Sequence, residues 1–133
     1  MAGSIEELSK YRYERAIEEL GNAKELFYNG KYRLSLNRSY YAIFHAMRAV
    51  NVLDEFDSSK HSGVIAHFNQ YHVKTGDFQK NSSKIIHNAM EMREHADYDD
   101  FFVASKKDAE EQLNNTKQFL EEVQIFLKQK MLI

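Results

Sequence analysis

KYRLSLNRSYYAIFHAMRAVNVL, residues 31–53, is the stretch that decides how this chain folds. At 100° per residue, Leu36, Tyr40, Ile43, Phe44, Met47 and Val50 gather on one side of a helix, the kind of stripe that faces a core. On the opposite side Arg38, Tyr41, Ala42, His45 and Ala49 fall within about 80° of one another, and Arg48 flanks them. A freely solvated helix face carries Glu, Lys and Gln, with opposite charges four apart. This face has no acid, and two alanines sit beside the arginine and the histidine. Small residues between polar ones let another backbone come close. The spacing therefore predicts a second, polar interface, with another helix or with a second copy of the chain.

Helices extend the pattern in both directions. Ser4-Ile5-Glu6-Glu7 reads as a capping box opening a first helix, with Tyr13, Ile17, Leu20, Ala23 and Phe27 as its apolar stripe and Asn29-Gly30 as its stop. Gly21 inside that run costs about 1 kcal/mol relative to alanine, which suggests a close helix approach. After the acidic break Asp54–Asp57, Ser58 or Ser59 is expected to cap a third helix carrying Val64, Ile65, Phe68 and Tyr71 and stopping near Thr75-Gly76. A fourth covers roughly 79–95, with Ile85, Ile86, Ala89 and Met92 buried. Asp99 or Asp100 is expected to cap the last, whose stripe of Ala109, Leu113, Thr116, Leu120, Val123 and Leu127 steps by four and three as a bundle seam does.

Composition agrees. The chain has 133 residues, 43% of them hydrophobic, enough for one domain over 1–133 and too rich for a disordered chain. Proline is absent and glycine occurs five times, whereas sheet-rich folds need many turns built from both. The expected class is all-α, an up-and-down bundle of four to five helices. Without cysteine there are no disulfides, zinc–thiolate sites or thiol nucleophiles. No stretch reaches the roughly 18 apolar residues that cross a bilayer, so the cytoplasm is the default location and no membrane role is expected.

The net charge of −2 hides an uneven distribution. From Lys31 to Leu53 there are four basic residues and no acid, and from Ser58 to Gly76 two lysines and three histidines, again with no acid. An acidic chain of this kind can still present one anion-attracting surface. Arginine offers a fork of donors matched to phosphate oxygens, and histidine moves a proton near neutral pH. At i and i+7 their Cα atoms stand about 10 Å apart along the axis, a gap that a long arginine side chain spans in part. The plain alternative pairs Arg38 with a carboxylate such as Asp97 and leaves His45 satisfied in an interface.

Three stretches in order carry a family resemblance: Asn37-Arg38-Ser39-Tyr40-Tyr41-Ala42-Ile43-Phe44-His45-Ala46; Lys60-His61-Ser62-Gly63-Val64-Ile65, with Phe68 and Val73-Lys74-Thr75-Gly76 after it; and Arg93-Glu94-His95-Ala96-Asp97-Tyr98-Asp99. Together they resemble an uncharacterised prokaryotic branch of the HEPN family, over roughly 11–123. The resemblance implies a HEPN-like helical bundle, commonly a homodimer. It also implies a metal-independent endoribonuclease of toxin–antitoxin type, paired with a minimal nucleotidyltransferase antitoxin. The signature is an arginine followed after four to six residues by a histidine, and Arg38-x6-His45 matches it at the long end. His45 would then serve as general base or acid in attack of the ribose 2′-hydroxyl on its own phosphate, with Arg38 holding that phosphate, no metal or cofactor being required. Two positions depart from the pattern. Ser39 follows the arginine where ribonuclease members often have Asn, Asp or His, and Met47 stands where some toxins carry a tyrosine that the antitoxin modifies. The alternative function is a non-catalytic module that binds a nucleotide or docks the nucleotidyltransferase.

Other residues join as candidates. Tyr41, Arg48 and His61 are candidates for binding substrate phosphate or, for the Tyr40-Tyr41 pair, for stacking a base; His61 opens the third helix beside Lys60, where free N–H groups attract anions. Arg93, Asp97 and Tyr98 are supporting residues, with Asp97 expected to orient Arg38 or Arg93. His87, Glu91 and His95 stand four apart on one face, compatible with metal binding but lacking matching inward carboxylates, so no metal site is expected. The pairs Tyr40-Tyr41 and Phe101-Phe102 are both expected at the core and its edge, with base stacking as the alternative role for either.

Overall fold

The computed structural model describes residues 2–133, and among them every regular element is helical: α1 (Ala2–Tyr28), α2 (Tyr32–Asn51), α3 (His61–Phe68), α4 (Asn81–Tyr98) and α5 (Lys106–Gln129). α1 and α2 form an antiparallel hairpin. Gly30 closes it at φ 75, a left-handed conformation that costs glycine nothing. α2 is the central rod, packed by α1 on one side and by α3, α4 and α5 on the other. Its whole expected core stripe is buried, as are all six seam residues of α5. No described helix is long and apolar enough to cross a membrane.

The face between α1 and α2 corrects the expected stripe of α1. Ile17 is 44% exposed, and Ala16 is buried in its place. Ser9, Ala16 and Ala23, seven apart, lie fully buried against Ser35, Ala42 and Ala49. Ser9 Oγ donates to Ala49 O at 2.6 Å and Ser35 Oγ to Ala23 O at 2.9 Å, so two buried hydroxyls stitch the backbones together. The close approach thus comes from alanine and serine, not from Gly21, which is exposed and has open space where a Cβ would stand.

Several helix ends differ from expectation. α1 begins at Ala2, which makes Ser4 helical rather than a cap. α2 stops at Asn51 and tightens into a 3-10 turn, Val52–Asp54, ended by Glu55 at φ 59. Ser58 Oγ accepts from the Lys60 N–H rather than from a residue within α3. Residues 69–73 continue α3 as a π-helical turn before Gly76, at φ 89. α4 runs on to Tyr98, so neither Asp99 nor Asp100 caps α5. Ser105 does, its hydroxyl accepting from the Asp108 N–H at 3.0 Å. The connection between α4 and α5 also leaves Phe101 97% exposed, outside the core it was expected to border, while Arg33 donates to the Phe102 carbonyl.

Candidate functional site

α2 displays the half-buried ring of Tyr41, and most of the candidate residues gather around it. The Arg38 guanidinium lies 4.8 Å from the ring centroid and that of Arg93 5.7 Å. His61 meets the ring edge-on at 5.9 Å, and His45 stands at 6.5 Å. Arg38, Tyr41 and His45 share one side of α2 because three and seven residues bring a helix back to nearly the same azimuth. α3 and α4 add His61 and Arg93.

The polar face of α2 is completed by another helix, one of the two partners its spacing allowed. α1 presents buried Glu19, whose Oε2 accepts from Arg38 Nη1 at 2.7 Å. Arg38 Nε donates to Asn37 Oδ1 at 2.8 Å, and Asn37 Nδ2 donates in turn to both oxygens of Asp97. Glu19 is thus the direct partner of Arg38, and Asp97 reaches it only through Asn37. Of the five guanidinium donors, these bonds take one on Nε and one on Nη1, which leaves the end of the fork available to an anion.

His45 sits in a strongly cationic setting. Burial lowers its pKa below the usual histidine value; Arg15, Arg48 and Arg38 lower it further, and Glu19 opposes them. At neutral pH its imidazole is therefore uncharged and able to accept a proton.

His61 is stacked on Phe44 at 4.4 Å, and its Nδ1 lies 2.5 Å from the Tyr40 hydroxyl. Burial pushes the Tyr40 phenol up to about 12, so it remains protonated and donates to Nδ1. Nε2 of His61 then carries the remaining hydrogen. Burial, and next the charge of Arg93, lower the pKa of His61.

Arg93 pairs with Asp97 at 3.4 Å and lies over the rings of Tyr40 and Tyr98 as well as Tyr41. Tyr98 thus contributes an aromatic face to the corner. Arg48 is the candidate held furthest aside: its guanidinium lies 5.9 Å from the Phe44 ring and pairs with Asp57 at 2.9 Å, a carboxylate that also pairs with Arg12 at 3.0 Å.

His87, Glu91 and His95 do not converge. His87 and Glu91 are 3.5 Å apart in the open, while His95 turns to Asp99 at 2.6 Å. The residues that sequence reading missed are Glu19, Arg15 and Asn37. Glu19 and Arg15 belong to α1, and nothing in α2 indicates which turn of α1 lies opposite; Asn37 was visible within the quoted motif but carried no assigned role.

Comparison with known proteins places the helical fold in a family. The family model of the HEPN domain matches residues 9–126. A UPF0332 protein of Thermotoga maritima is 32% identical over 119 residues, covering 90% of each chain. Two proteins of Methanocaldococcus jannaschii are each named "putative toxin". One is 40% identical over 85 residues, covering 64% of this chain and 63% of its own, and the other 29% identical over 134 residues, covering 95% and 91%.

Proposed function

Because this chain belongs to the HEPN domain family, we propose that it is a metal-independent endoribonuclease of toxin type, acting through Arg38 and His45. The observation that carries the proposal is the setting of the pair. A guanidinium with unused donors and an imidazole kept neutral by its surroundings flank one aromatic ring on one side of α2. RNA lies with a phosphate on the Arg38 fork. His45 takes the proton of the 2′-hydroxyl, whose oxygen attacks the adjacent phosphorus. The 5′-oxygen leaves and takes a proton from water, and the upstream fragment ends in a 2′,3′-cyclic phosphate. Tyr41 offers a stacking face for a base, and His61 Nε2–H and Arg93 add positive character around it.

The names of the two archaeal relatives support a toxin reading, and with it an antitoxin as partner. The minimal nucleotidyltransferase implied by the motif resemblance is the kind of partner proposed. Met47 stands where some toxins carry the tyrosine that such a partner modifies, and it is fully buried in the core. The partner therefore acts by covering the site. A homodimer is the proposed working form; the exposed side chains of Leu34, Tyr98, Phe101 and Val103 supply apolar surface for it to cover.

Incubating the purified protein with RNA in excess chelator tests the proposal. Cleavage by the wild type that disappears in Arg38→Ala and His45→Ala, with helicity intact, supports it. Cleavage surviving both substitutions refutes the assignment.

A further inference from the structure

A second cluster of titratable side chains shares no residue with the Arg38–His45 face. Asp54 ends the 3-10 turn after α2, and the left-handed Glu55 that follows turns the chain toward α3. His67 lies in the last turn of α3 and His72 in the π-helical turn after it. Residues five apart on a regular α-helix diverge by about 140°. The wider turn, closed by the Lys74 N–H bonding the Asn69 carbonyl at 2.9 Å, brings the two histidines back to one side. His67 Nε2 lies 2.9 Å and His72 Nε2 2.6 Å from the same oxygen, Asp54 Oδ2, and the three donor atoms all fall within 4.8 Å of one another.

Three features go beyond what ion pairing alone requires. First, His72 is only 4% exposed, and its other nitrogen, Nδ1, faces Asp77 Oδ2 at 3.2 Å. A carboxylate behind a histidine is the usual orienting partner of a metal-ligating imidazole. Second, the His67 ring is fixed before any ion arrives, stacked on Phe56 at 4.1 Å and 9° and backed by Tyr71 at 4.5 Å. Third, Asp54 and His72 open onto a cleft of about 410 Å³, bounded by Glu6 and Phe126 among others, which gives an entry path and room for a further ligand.

We propose that Asp54 Oδ2, His67 Nε2 and His72 Nε2 bind one divalent transition-metal ion, with zinc the first candidate and Asp77 orienting His72. Two imidazoles and one carboxylate suit zinc, cobalt or nickel better than calcium or magnesium. Bonds of about 2.0–2.2 Å in tetrahedral geometry hold ligand atoms about 3.3–3.5 Å apart. Asp54, whose side chain is partly exposed, therefore needs to withdraw by less than about 1 Å. The ion joins the end of α2 to α3 and takes no part in the proposed RNA chemistry, so the two proposals stand or fall separately.

The test uses chelator-stripped full-length protein without a histidine tag, titrated with zinc by calorimetry and with cobalt by visible absorption. The expected result is one equivalent bound, cobalt d–d bands, and a melting temperature raised by about 5 °C or more at saturating zinc. Asp54→Asn and His67→Gln each weaken zinc binding at least tenfold, Asp77→Asn weakens it about ten- to a hundredfold, and His87→Gln leaves it unchanged. Because His72 is buried, these variants and not its truncation carry the test, each checked for native helicity. Absence of stoichiometric binding, or binding as tight in Asp54→Asn and His67→Gln as in the wild type, overturns the site.

Discussion

Glu19 of α1 holds Arg38 of α2 in a 2.7 Å ion pair, with the carboxylate buried and the guanidinium half-exposed. This geometry turns an arginine on one helix into a fixed donor, because its Nη1 is anchored from α1 while its Nε is anchored by Asn37 beside it. Glu19 is accordingly a positioning residue, and it also supplies the negative charge that opposes the arginines around His45. Glu19→Gln is expected to lower kcat/KM for RNA cleavage by about ten- to a hundredfold while the bundle stays folded. Steady-state kinetics alongside circular dichroism checks this.

Proton transfer through His45 predicts a particular pH profile. A lowered histidine pKa means that cleavage persists below pH 6.5 and falls only when the imidazole protonates at lower pH. Arg15→Gln removes a neighbouring positive charge and moves that acidic limb upward; Glu19→Gln removes the opposing negative charge and moves it downward. Profiles of kcat/KM for the three proteins read the shifts, and equal limbs would exclude His45 as the titrating group.

The two central side chains differ in how they respond to conservative change. His45→Ala is expected to lower kcat by about 10²–10⁴-fold. Arg38→Ala is expected to cost about 10²–10³-fold, and Arg38→Lys does not restore activity because an ammonium lacks the planar fork. Rates measured on one RNA under identical salt make the comparison.

The α1–α2 seam makes a stability prediction independent of chemistry. Ala42 and Ala49 are fully buried against α1, so Ala49→Leu overpacks the interface and costs roughly 1–3 kcal/mol. Ser9→Ala removes one buried hydrogen bond and costs about 1 kcal/mol. Urea denaturation monitored by helicity measures both.

Much of this fold was legible because helix periodicity survives without tertiary information. The core stripes of α2 and α5 follow from spacing alone, and the second face of α2 announced itself by two alanines beside an arginine and a histidine. What spacing could not supply was the azimuth of α1: the choice of Ala16 over Ile17 depends on how closely α2 approaches, and that distance is set by Ser9, Ala23, Ser35, Ala42 and Ala49 acting together. Glu19 and Arg15 were hidden for the same reason. Likewise, His67 and His72 read as divergent on an ideal helix. Only the π-helical turn brings them to Asp54, and no local pattern in 69–73 signals it.

Acid sensitivity has a named source in Asp57. Hydrogen bonds from Arg12 and Arg48 hold its carboxyl below the usual range, so the stability it contributes is present above pH 3.8 and lost as pH falls through its folded value. Since Asp57 is half-exposed, Asp57→Asn is expected to cost only about 0.5–1 kcal/mol at pH 7, and less at about pH 3, below the ordinary value of the carboxyl. Denaturation curves at both pH values check the sign.

The identity of the fragment ends tests the central chemistry most directly. After chelator-treated protein acts on a defined RNA, mass spectrometry of the upstream fragment should find a 2′,3′-cyclic phosphate. The same RNA carrying 2′-O-methyl groups should remain whole, and His45→Ala should yield no fragment above background. Upstream fragments ending in a 3′-hydroxyl, or cleavage of the methylated RNA, would contradict the assignment of His45 and Arg38 to attack by the ribose hydroxyl.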